Sequence, residues 1–189
     1  MPVTAAWPDV FYVEQPDRAC GIRVEKAGHG LAVGQSATVE GVMGTTTDGE
    51  RMINATSASG SAGQALPALS MTSRSLGGDA SAGYSAATGT GQEGVTGGTG
   101  LNNVGLLVKV FGKVTFVDPG GQFFTLWDGS VVKDADGHDG VRVSAPGLTL
   151  PGIGEFATVT GISSCYKPGE VLYPRVLART AGDIVTQVF

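Results

Sequence analysis

Residues 33–42 read VGQSATVEGV, and residues 153–162 read IGEFATVTGI. Half of the positions are identical, and most of the others exchange similar side chains. In both copies, small and β-branched residues alternate over a short run bounded by glycine, which is typical of a β-strand. Such a repeat predicts that one structural unit occurs twice in the chain.

Three further matches flank this pair in the same order along the chain. They pair FYV (11–13) with FFT (123–125), GIRV (21–24) with GVRV (140–143), and RMI (51–53) with RVL (175–177). Insertions and deletions fall only between the matches. The whole chain is therefore predicted to be a tandem repeat.

The second copy predicts five short strands. They lie near residues 105–117, 122–128, 140–144, 155–163 and 171–180. The intervening segments hold Pro, Gly and Asp, as turns require, and no stretch has a helical period. We therefore predict an all-β fold of two small barrels, joined by a long Gly-rich irregular segment. The long first strand and the loop between the third and fourth strands favour the OB type of barrel.

The first copy is shorter than the second. Its strands are predicted near residues 9–15, 20–25, 36–43 and 50–58. The long first strand of the second copy, from 105 to 117, has only residues 2–6 as its counterpart. The first barrel is therefore predicted to lack most of one strand, and an open strand edge is a template for pairing with another chain.

These patterns divide the chain into a first unit (1–58), a connecting segment (59–103) and a second unit (104–189). The connecting segment is rich in Gly, Ser, Ala and Thr and carries only three charges. One interpretation is a flexible linker. Scattered larger side chains, including Leu76 and Tyr84, favour an ordered segment that lies over the barrels or over a neighbouring subunit.

The chain of 189 residues has a net charge of −5 and a pI of about 4.9. A nucleic-acid-binding protein normally needs a basic face, so this balance argues against nucleic acid and against an anionic membrane surface as partners. No apolar run reaches the ~20 residues of a transmembrane helix. Charged residues make up only 15% of the chain, and a surface poor in charge is weakly protected against self-association.

The first residues contain no basic region followed by an apolar stretch, so no secretory signal is predicted there. Two locations remain: the cytoplasm, or the outside of the cell as the mature part of a longer precursor. The scarcity of Lys and Glu and the abundance of Thr, Ser, Ala and Gly favour the extracellular or cell-surface location.

Catalytic machinery is not predicted. The two histidines, His29 and His138, lie in Gly-rich turns, and no motif around a serine indicates a nucleophile. Most of the carboxylates also lie in predicted turns. We therefore expect no enzymatic activity.

One loop has the composition of a weak Ca²⁺ site. Asp134, Asp136 and Asp139 lie within six residues, and the glycines beside them permit a tight wrap around a cation with oxygen ligands. The spacing differs from that of an EF-hand. The alternative is a polar turn that precedes a strand, and no other cofactor is predicted.

Three residues are candidates for covalent modification. Cys20 and Cys165 are too widely spaced for a metal motif. They are either two buried free thiols or a single disulfide within or between subunits. Asn54 begins a triplet, Asn-Ala-Thr, that fits the N-glycosylation sequence, although such triplets often arise by chance.

Four stretches carry a resemblance to a known kind of protein. They are residues 71–78 (MTSRSLGG), 97–108 (GGTGLNNVGLLV), 112–115 (GKVT) and the turn 128–130 (DGS) after an aromatic strand. They resemble tandem OB-like repeats in secreted and surface proteins of environmental bacteria. Such units are also similar to subunits of extracellular tubular filaments. The resemblance covers nearly the whole chain and implies export and self-assembly, but no particular activity.

The leading prediction is therefore a structural protein, a homopolymeric subunit of an extracellular filament. The strand-like tail, residues 183–189 (DIVTQVF), is predicted to pair with the open edge of a neighbouring copy, or else to complete its own barrel. The predicted assembly residues are Val3, Leu76, Tyr84, Ile184, Val185, Val188 and Phe189. The alternatives are a non-catalytic binding module for single-stranded nucleic acid or oligosaccharide, and an accessory domain of a secreted protein.

Overall fold

The computed structural model describes residues 1–80 and 83–187. This part of the chain is built from β-strands and two single-turn 3-10 helices, so the predicted all-β class is confirmed. Neither of these described helical turns has the length and apolar character needed to cross a membrane.

Five strands form the sheet of the first unit. They are β1 (Val3–Ala6), β2 (Val10–Glu14), β3 (Gly21–Glu25), β4 (Ser36–Thr45) and β5 (Arg51–Ser61). Their order across the sheet is β1-β2-β3-β5-β4. β3 and β5 are parallel, and the other neighbours are antiparallel.

The second unit is a closed barrel. Its strands are β6 (Leu69–Ser70), β7 (Leu107–Val117), β8 (Phe123–Trp127), β9 (Val141–Ser144), β10 (Phe156–Tyr166), β11 (Tyr173–Ala178) and β12 (Ile184–Gln187). β7 pairs with β8 and also with β10, which closes the sheet. The order β7-β8-β9-β11-β10 repeats the order of the first unit, so the repeat is present in the topology.

The strand ladders correct the predicted alignment of the two units by one residue. Val24 lies opposite Phe11, and its counterpart Val143 lies opposite Phe124. Phe11 therefore corresponds to Phe124 and not to Phe123. Both Phe11 and Phe124 are fully buried, and a shift by one residue would have moved one of them to the other face of its sheet.

The described strands of the first unit form a sheet that does not close on itself, and we call it the first barrel because it repeats the strand order of the closed one. The two units have cores of unequal size. The buried core of the second barrel comprises Leu106, Val108, Val110, Val114, Phe124, Leu126, Val141, Val143, Ala157, Val159 and Val176, among others. The buried core of the first comprises Val3, Phe11, Val13, Val24 and Ala37. Complete burial of one large apolar side chain stabilises a fold by roughly 1.5–3 kcal/mol, so the first barrel is the less well stabilised of the two.

Part of the connecting segment packs onto the second barrel. The single turn η1 (Ser73–Ser75) leads into Leu76, which is fully buried in the second core. The side-chain oxygen of Asn103 accepts hydrogen bonds from the N–H of Gly77 at 2.8 Å and from the hydroxyl of Ser163 at 2.7 Å. Contrary to the prediction, the side chain of Leu76 is not available to a neighbouring subunit in this structure.

The two barrels pack directly against each other. Ala5 and Tyr12 of the first barrel form an apolar cluster with Leu107 and Ile162 of the second. The backbone N–H of Leu107 also donates a hydrogen bond of 2.8 Å to the buried carboxylate of Glu14. These contacts hold the units in one relative orientation.

Candidate assembly edge on the first barrel

Only one side of β4 is hydrogen bonded along the whole strand. There it pairs with β5 at ten positions. On the other side, the N–H of Ala37 donates to the carbonyl of Met1 at 2.7 Å, and the terminal amine of Met1 donates to the carbonyl of Ala37 at 2.7 Å. Beyond Ala37, no residue in the described part of the chain pairs with this second side of β4.

The second barrel shows which strand pairs with this side when the barrel is closed. The equivalent strand, β10, pairs with β11 and β12 on one side and with β7 on the other. The ladder with β7 runs from Leu107 to Lys113. In the first unit, Pro2 is bridged to Ser36 and takes the position of Lys113. No described residue therefore takes the positions of residues 107–111.

The core of the first barrel is consequently open along this edge. Val39 is half-buried, whereas its counterpart Val159 is fully buried. Ile53 is also half-buried, and its counterpart by register, Val176, is fully buried. In the second barrel, Val108 of β7 belongs to the apolar cover over these positions. The first barrel lacks this cover among the described residues.

The outer face of β4 shows the same contrast. Val42 is 68% exposed, whereas its counterpart Ile162 is fully buried. Ile162 is covered because it packs against Tyr12 of the first barrel. Val42 therefore lies on a face of its strand that is covered in the second unit and uncovered in the first.

Alternate residues of β4 direct their backbone groups to the open side. In an antiparallel strand, the N–H and C=O of one residue point to the same side, and those of the next residue point to the other. Because Ala37 bonds to Met1 on the open side, Val39, Gly41 and Met43 direct their N–H and C=O groups there as well. Such a row of groups is the feature that accepts an added strand.

The C-terminal strand β12 completes its own barrel. Its residues Ile184–Gln187 pair with residues 156–159 of β10. The tail therefore follows the alternative stated from the sequence, and in this structure it is not released towards a neighbouring copy. Val188 and Phe189 of the predicted assembly set lie outside the described residues.

The remaining predicted assembly residues differ in their surroundings. Val3 is fully buried in the first core, so its side chain does not reach the surface. Tyr84 is half-buried beside a small cavity that Glu93 and Lys167 also line. Val185 is 49% exposed, and it is the most exposed member of the set among the described residues.

The predicted Ca²⁺ loop is closed by an arginine. The buried carboxylate of Asp134 accepts hydrogen bonds from Nη2 of Arg142 at 3.1 Å and from the N–H of His138 at 2.9 Å. The same Nη2 donates to the carboxylate of Asp136 at 2.7 Å. The guanidinium thus supplies the positive charge that a bound cation would supply.

Asp139 does not join this cluster, contrary to the prediction. Its carboxylate pairs with a lysine at the surface. The possible ligand atoms that lie within 4.8 Å of one another belong to Asp134, Asp136 and His138. Because Nη2 of Arg142 already occupies the space between the carboxylates of Asp134 and Asp136, we describe this loop as an ion-paired turn and assign no Ca²⁺ to it.

Asp134 should make the loop sensitive to acid. Burial alone would raise the pKa of Asp134, but hydrogen bonds from Arg142 and His138 outweigh burial and leave the pKa below its ordinary value. A carboxyl group with a lowered folded-state pKa stabilises the protein above its unfolded-state pKa. That contribution is lost as the pH falls through the folded-state value. We expect Asp134→Asn to cost about 1–3 kcal/mol at neutral pH and to flatten the acid limb of the stability curve.

Urea unfolding from neutral pH into the acid range measures this effect. Asp139→Asn is the matched control, since its carboxylate is exposed, and it should change the free energy of unfolding by less than about 0.5 kcal/mol. Equal losses of unfolding free energy in the two variants would contradict the role assigned to Asp134.

The structure also places the residues considered for covalent modification. Cys20 and Cys165 are both free thiols, so the structure contains no disulfide between them. Cys165 is buried, as predicted for a free thiol, but Cys20 is exposed. Burial, and then the carboxylate of Glu50, raise the pKa of the Cys165 thiol. Asn54 is exposed on β5.

Both histidine rings are engaged by their own loops. Nε2 of His29 lies 2.6 Å from the carbonyl oxygen of Trp7, and its Nδ1 accepts a hydrogen bond from the N–H of Leu31 at 3.0 Å. The ring of His138 stacks on Phe116, with the ring centres 3.7 Å apart. These contacts give the two rings structural roles.

A buried carboxylate between the barrels was not predicted from the sequence. Glu50 is 1% exposed, and both of its oxygens lie 2.9 Å from the phenol oxygen of Tyr12, which donates its single hydrogen to the carboxylate. The hydroxyl of Ser164 in the second barrel donates to it at 3.0 Å, and Nη1 of Arg23 lies 4.0 Å away. Glu50 follows a turn in the sequence, where acidic residues are common. Its neighbours in the sequence therefore did not indicate that it is buried.

Comparison of the sequence with protein-family models found no match, and a search of curated proteins found none either. The open edge of β4 is therefore the main guide to function.

Proposed function

We propose that this protein is a non-catalytic structural subunit that assembles with copies of itself outside the cell. The observation that carries the proposal is the open edge of β4. In the second barrel the same position is filled by seven residues of β7, whereas in the first, among the residues that the structure describes, Met1 and Pro2 alone fill it. A neighbouring copy that adds a strand at this edge completes the first barrel.

The open edge places two physical demands on its partner. Val39, Gly41 and Met43 require backbone groups in register, which an extended peptide supplies. The half-open core leaves Val39 and Ile53 only partly buried, so the peptide must bring an apolar side chain to this edge, as Val108 does in the second barrel. An extended peptide with few charges meets both demands.

The composition supports self-association. Charged residues make up 15% of the chain, compared with about 25% in an average soluble domain. Repulsion between copies is correspondingly weak, and small polar residues replace Lys and Glu on much of the surface. The same composition motivates the proposed extracellular location.

Strand addition at β4 should depend on the backbone N–H of Met43. Proline at this position removes the N–H without removing a hydrogen bond to β5, because the N–H faces the open side. We expect Met43→Pro to raise the protein concentration needed for assembly by about tenfold or more. Met43→Ala keeps the N–H and should change that concentration little. Sedimentation velocity measures assembly, and negative-stain electron microscopy shows its products.

Two outcomes would overturn the proposal. One is a wild-type chain that stays monomeric at high concentration. The other is a folded Met43→Pro variant that assembles as readily as the wild type. Circular dichroism and thermal unfolding of both variants show whether the first barrel remains folded. Filaments of the wild type that are lost in the proline variant alone support it.

A second candidate function is a binding module, and a cleft between the barrels favours it. The cleft has a volume of about 570 Å³ and is lined by Trp7 and three arginines. Each arginine is already paired with a carboxylate. The pairs are Arg23–Glu25, Arg175–Asp48 and Arg179–Asp183. The cleft therefore suits a neutral oligosaccharide better than a nucleic acid. Tryptophan fluorescence of a Trp127→Phe variant, in which Trp7 is the single tryptophan, tests this candidate during titration with neutral oligosaccharides, and an unchanged spectrum at high sugar concentration rejects it.

A further inference from the structure

The acceptor edge of β4 has a counterpart in the other barrel. β12 pairs with β10 at four positions, and none of the residues that the structure describes pairs with its other side. The residues from Val185 to Gln187 are all exposed. β12 is thus a second free edge strand, and it lies in the second barrel.

The ladders show which backbone groups of β12 face its free side. Residue 155, just before β10, and residue 163 of β10 direct their backbone hydrogen bonds to the side on which β7 lies. The odd-numbered residues between them do so too. The even-numbered residues, including Thr158, face β12. Thr158 therefore bonds to Val185, which lies opposite it, and the N–H of Thr186 points away from the barrel. The N–H of Thr186 therefore faces the free side of β12, as the N–H of Met43 faces the open side of β4.

We propose that β12 of one copy is the strand that pairs with the open edge of β4 in the next copy. This inference rests on the proposed function and names the partner segment. Because β4 and β12 belong to different barrels, the contact joins two unlike surfaces. Each added copy then leaves one free β4 and one free β12 at the ends, and repetition of the contact builds an open-ended polymer when the rotation between copies does not close a ring.

The two edge strands are chemically compatible. Residues 184–187 (IVTQ) carry no charge, and Glu40 is the only charged residue of β4. No pair of like charges therefore opposes the pairing. Each strand also exposes a valine, Val42 at 68% and Val185 at 49%. Burial of these side chains on pairing favours association.

This pairing leaves β12 in its own barrel. The neighbour uses only the free side of the strand, so the ladder between β12 and β10 is kept. The turn before β12 is also kept, in which the guanidinium of Arg179 donates to both carboxylate oxygens of Asp183 at 2.7 and 3.0 Å. Assembly then orders few additional groups, so little conformational entropy is lost beyond the translational and rotational cost of any association.

A mixing experiment tests both the partner strand and the direction of the contact. Met43→Pro blocks the acceptor, and Thr186→Pro removes the outward N–H of β12 while its ladder with β10 stays intact. We expect each variant alone to require a concentration for assembly that is about tenfold higher or more. Mixed at wild-type assembly concentrations, the two should form a 1:1 heterodimer and nothing larger, because one intact acceptor meets one intact donor. Size-exclusion chromatography with light scattering measures the masses.

The controls separate this inference from the proposed function. Met43→Ala and Thr186→Val keep the N–H groups and should assemble like the wild type. Val185→Glu, which changes no backbone group, should hinder assembly because it brings a second carboxylate to a contact that already contains Glu40. A folded Thr186→Pro variant that polymerises normally overturns the assignment of β12 as the donor strand, but leaves β4 as the proposed acceptor. Folded proline variants that do not form a heterodimer on mixing also overturn the assignment of β12 as the donor strand. A wild-type protein that never assembles overturns the proposed function itself.

Discussion

Replacement of Gly105 by alanine is expected to destabilise the protein by about 2–5 kcal/mol. Gly105 lies just before β7 and has a φ of +95°, where a Cβ atom is strained. The added methyl group would also lie 2.5 Å from the backbone of Gly21 in the first barrel. Because the neighbouring atoms belong to the backbone, the two barrels must move apart to relieve the overlap.

Two further variants separate these causes. Gly100→Ala has a similar φ of +82° but open space around the new methyl group, so it should cost about 1–2 kcal/mol. Gly21→Ala has no left-handed backbone, but its methyl group would lie 2.3 Å from the carbonyl oxygen of Gly105, and it should cost about 1–3 kcal/mol. Urea unfolding measures all three. A Gly105→Ala variant no less stable than Gly100→Ala would contradict a tight contact between the barrels.

Removal of the Glu50 carboxylate should have an effect of similar size. Glu50→Ala takes away the acceptor that the hydroxyls of Tyr12 and Ser164 share, and it removes a carboxylate beside Arg23. Each buried hydroxyl that loses its acceptor costs about 1–3 kcal/mol. Glu50→Gln has nearly the same shape and keeps one acceptor oxygen, so it should cost less. Thermal unfolding at neutral pH compares the two variants.

Glu50 also predicts how stability changes with pH. Burial raises the pKa of Glu50 above its ordinary value, although the hydrogen bond from Tyr12 acts against it. An acid with a raised folded-state pKa contributes its full stabilisation below the unfolded-state pKa. That contribution is lost as the pH rises through the folded-state value. We expect wild-type stability to fall as the pH rises above the ordinary glutamate pKa, and Glu50→Gln to lack this fall. Parallel pH profiles would show that Glu50 does not titrate in this range.

The strand content and the repeat could be predicted because both are local signals. Alternation of side chains along residues 36–43 and 155–163 marks a strand whatever lies beside it. The short first strand could be predicted by the same means.

The alignment of the units was harder because identity alone is ambiguous on a short aromatic strand. Phe11-Tyr12 matches Phe123-Phe124 as well as any neighbouring frame does. The ladder with the next strand resolves the choice, since Phe11 and Phe124 each lie opposite a buried valine. A register of this kind is set by hydrogen bonds between strands, which leave little trace in composition.

Among the candidate assembly residues, too, the sequence indicated the surroundings of some side chains and not of others. An exposed position could be expected for Val185, which lies near the end of a tail. Leu76 and Val3 instead fill the cores of their own chain. Whether an apolar side chain in an irregular segment turns inward depends on the space that a distant strand leaves for it.

The sequence by itself determined that this chain holds two copies of one strand unit, and that the first copy is short by most of one strand. Both are properties of residue order and number. Only the tertiary structure decided that the gap leaves one side of β4 open and that β12 stays in its own barrel with a free edge. It also decided that Glu50 and Ser164 meet between the barrels. The reason is that strand pairing and burial arise between residues far apart in sequence, and local patterns do not record which of them meet.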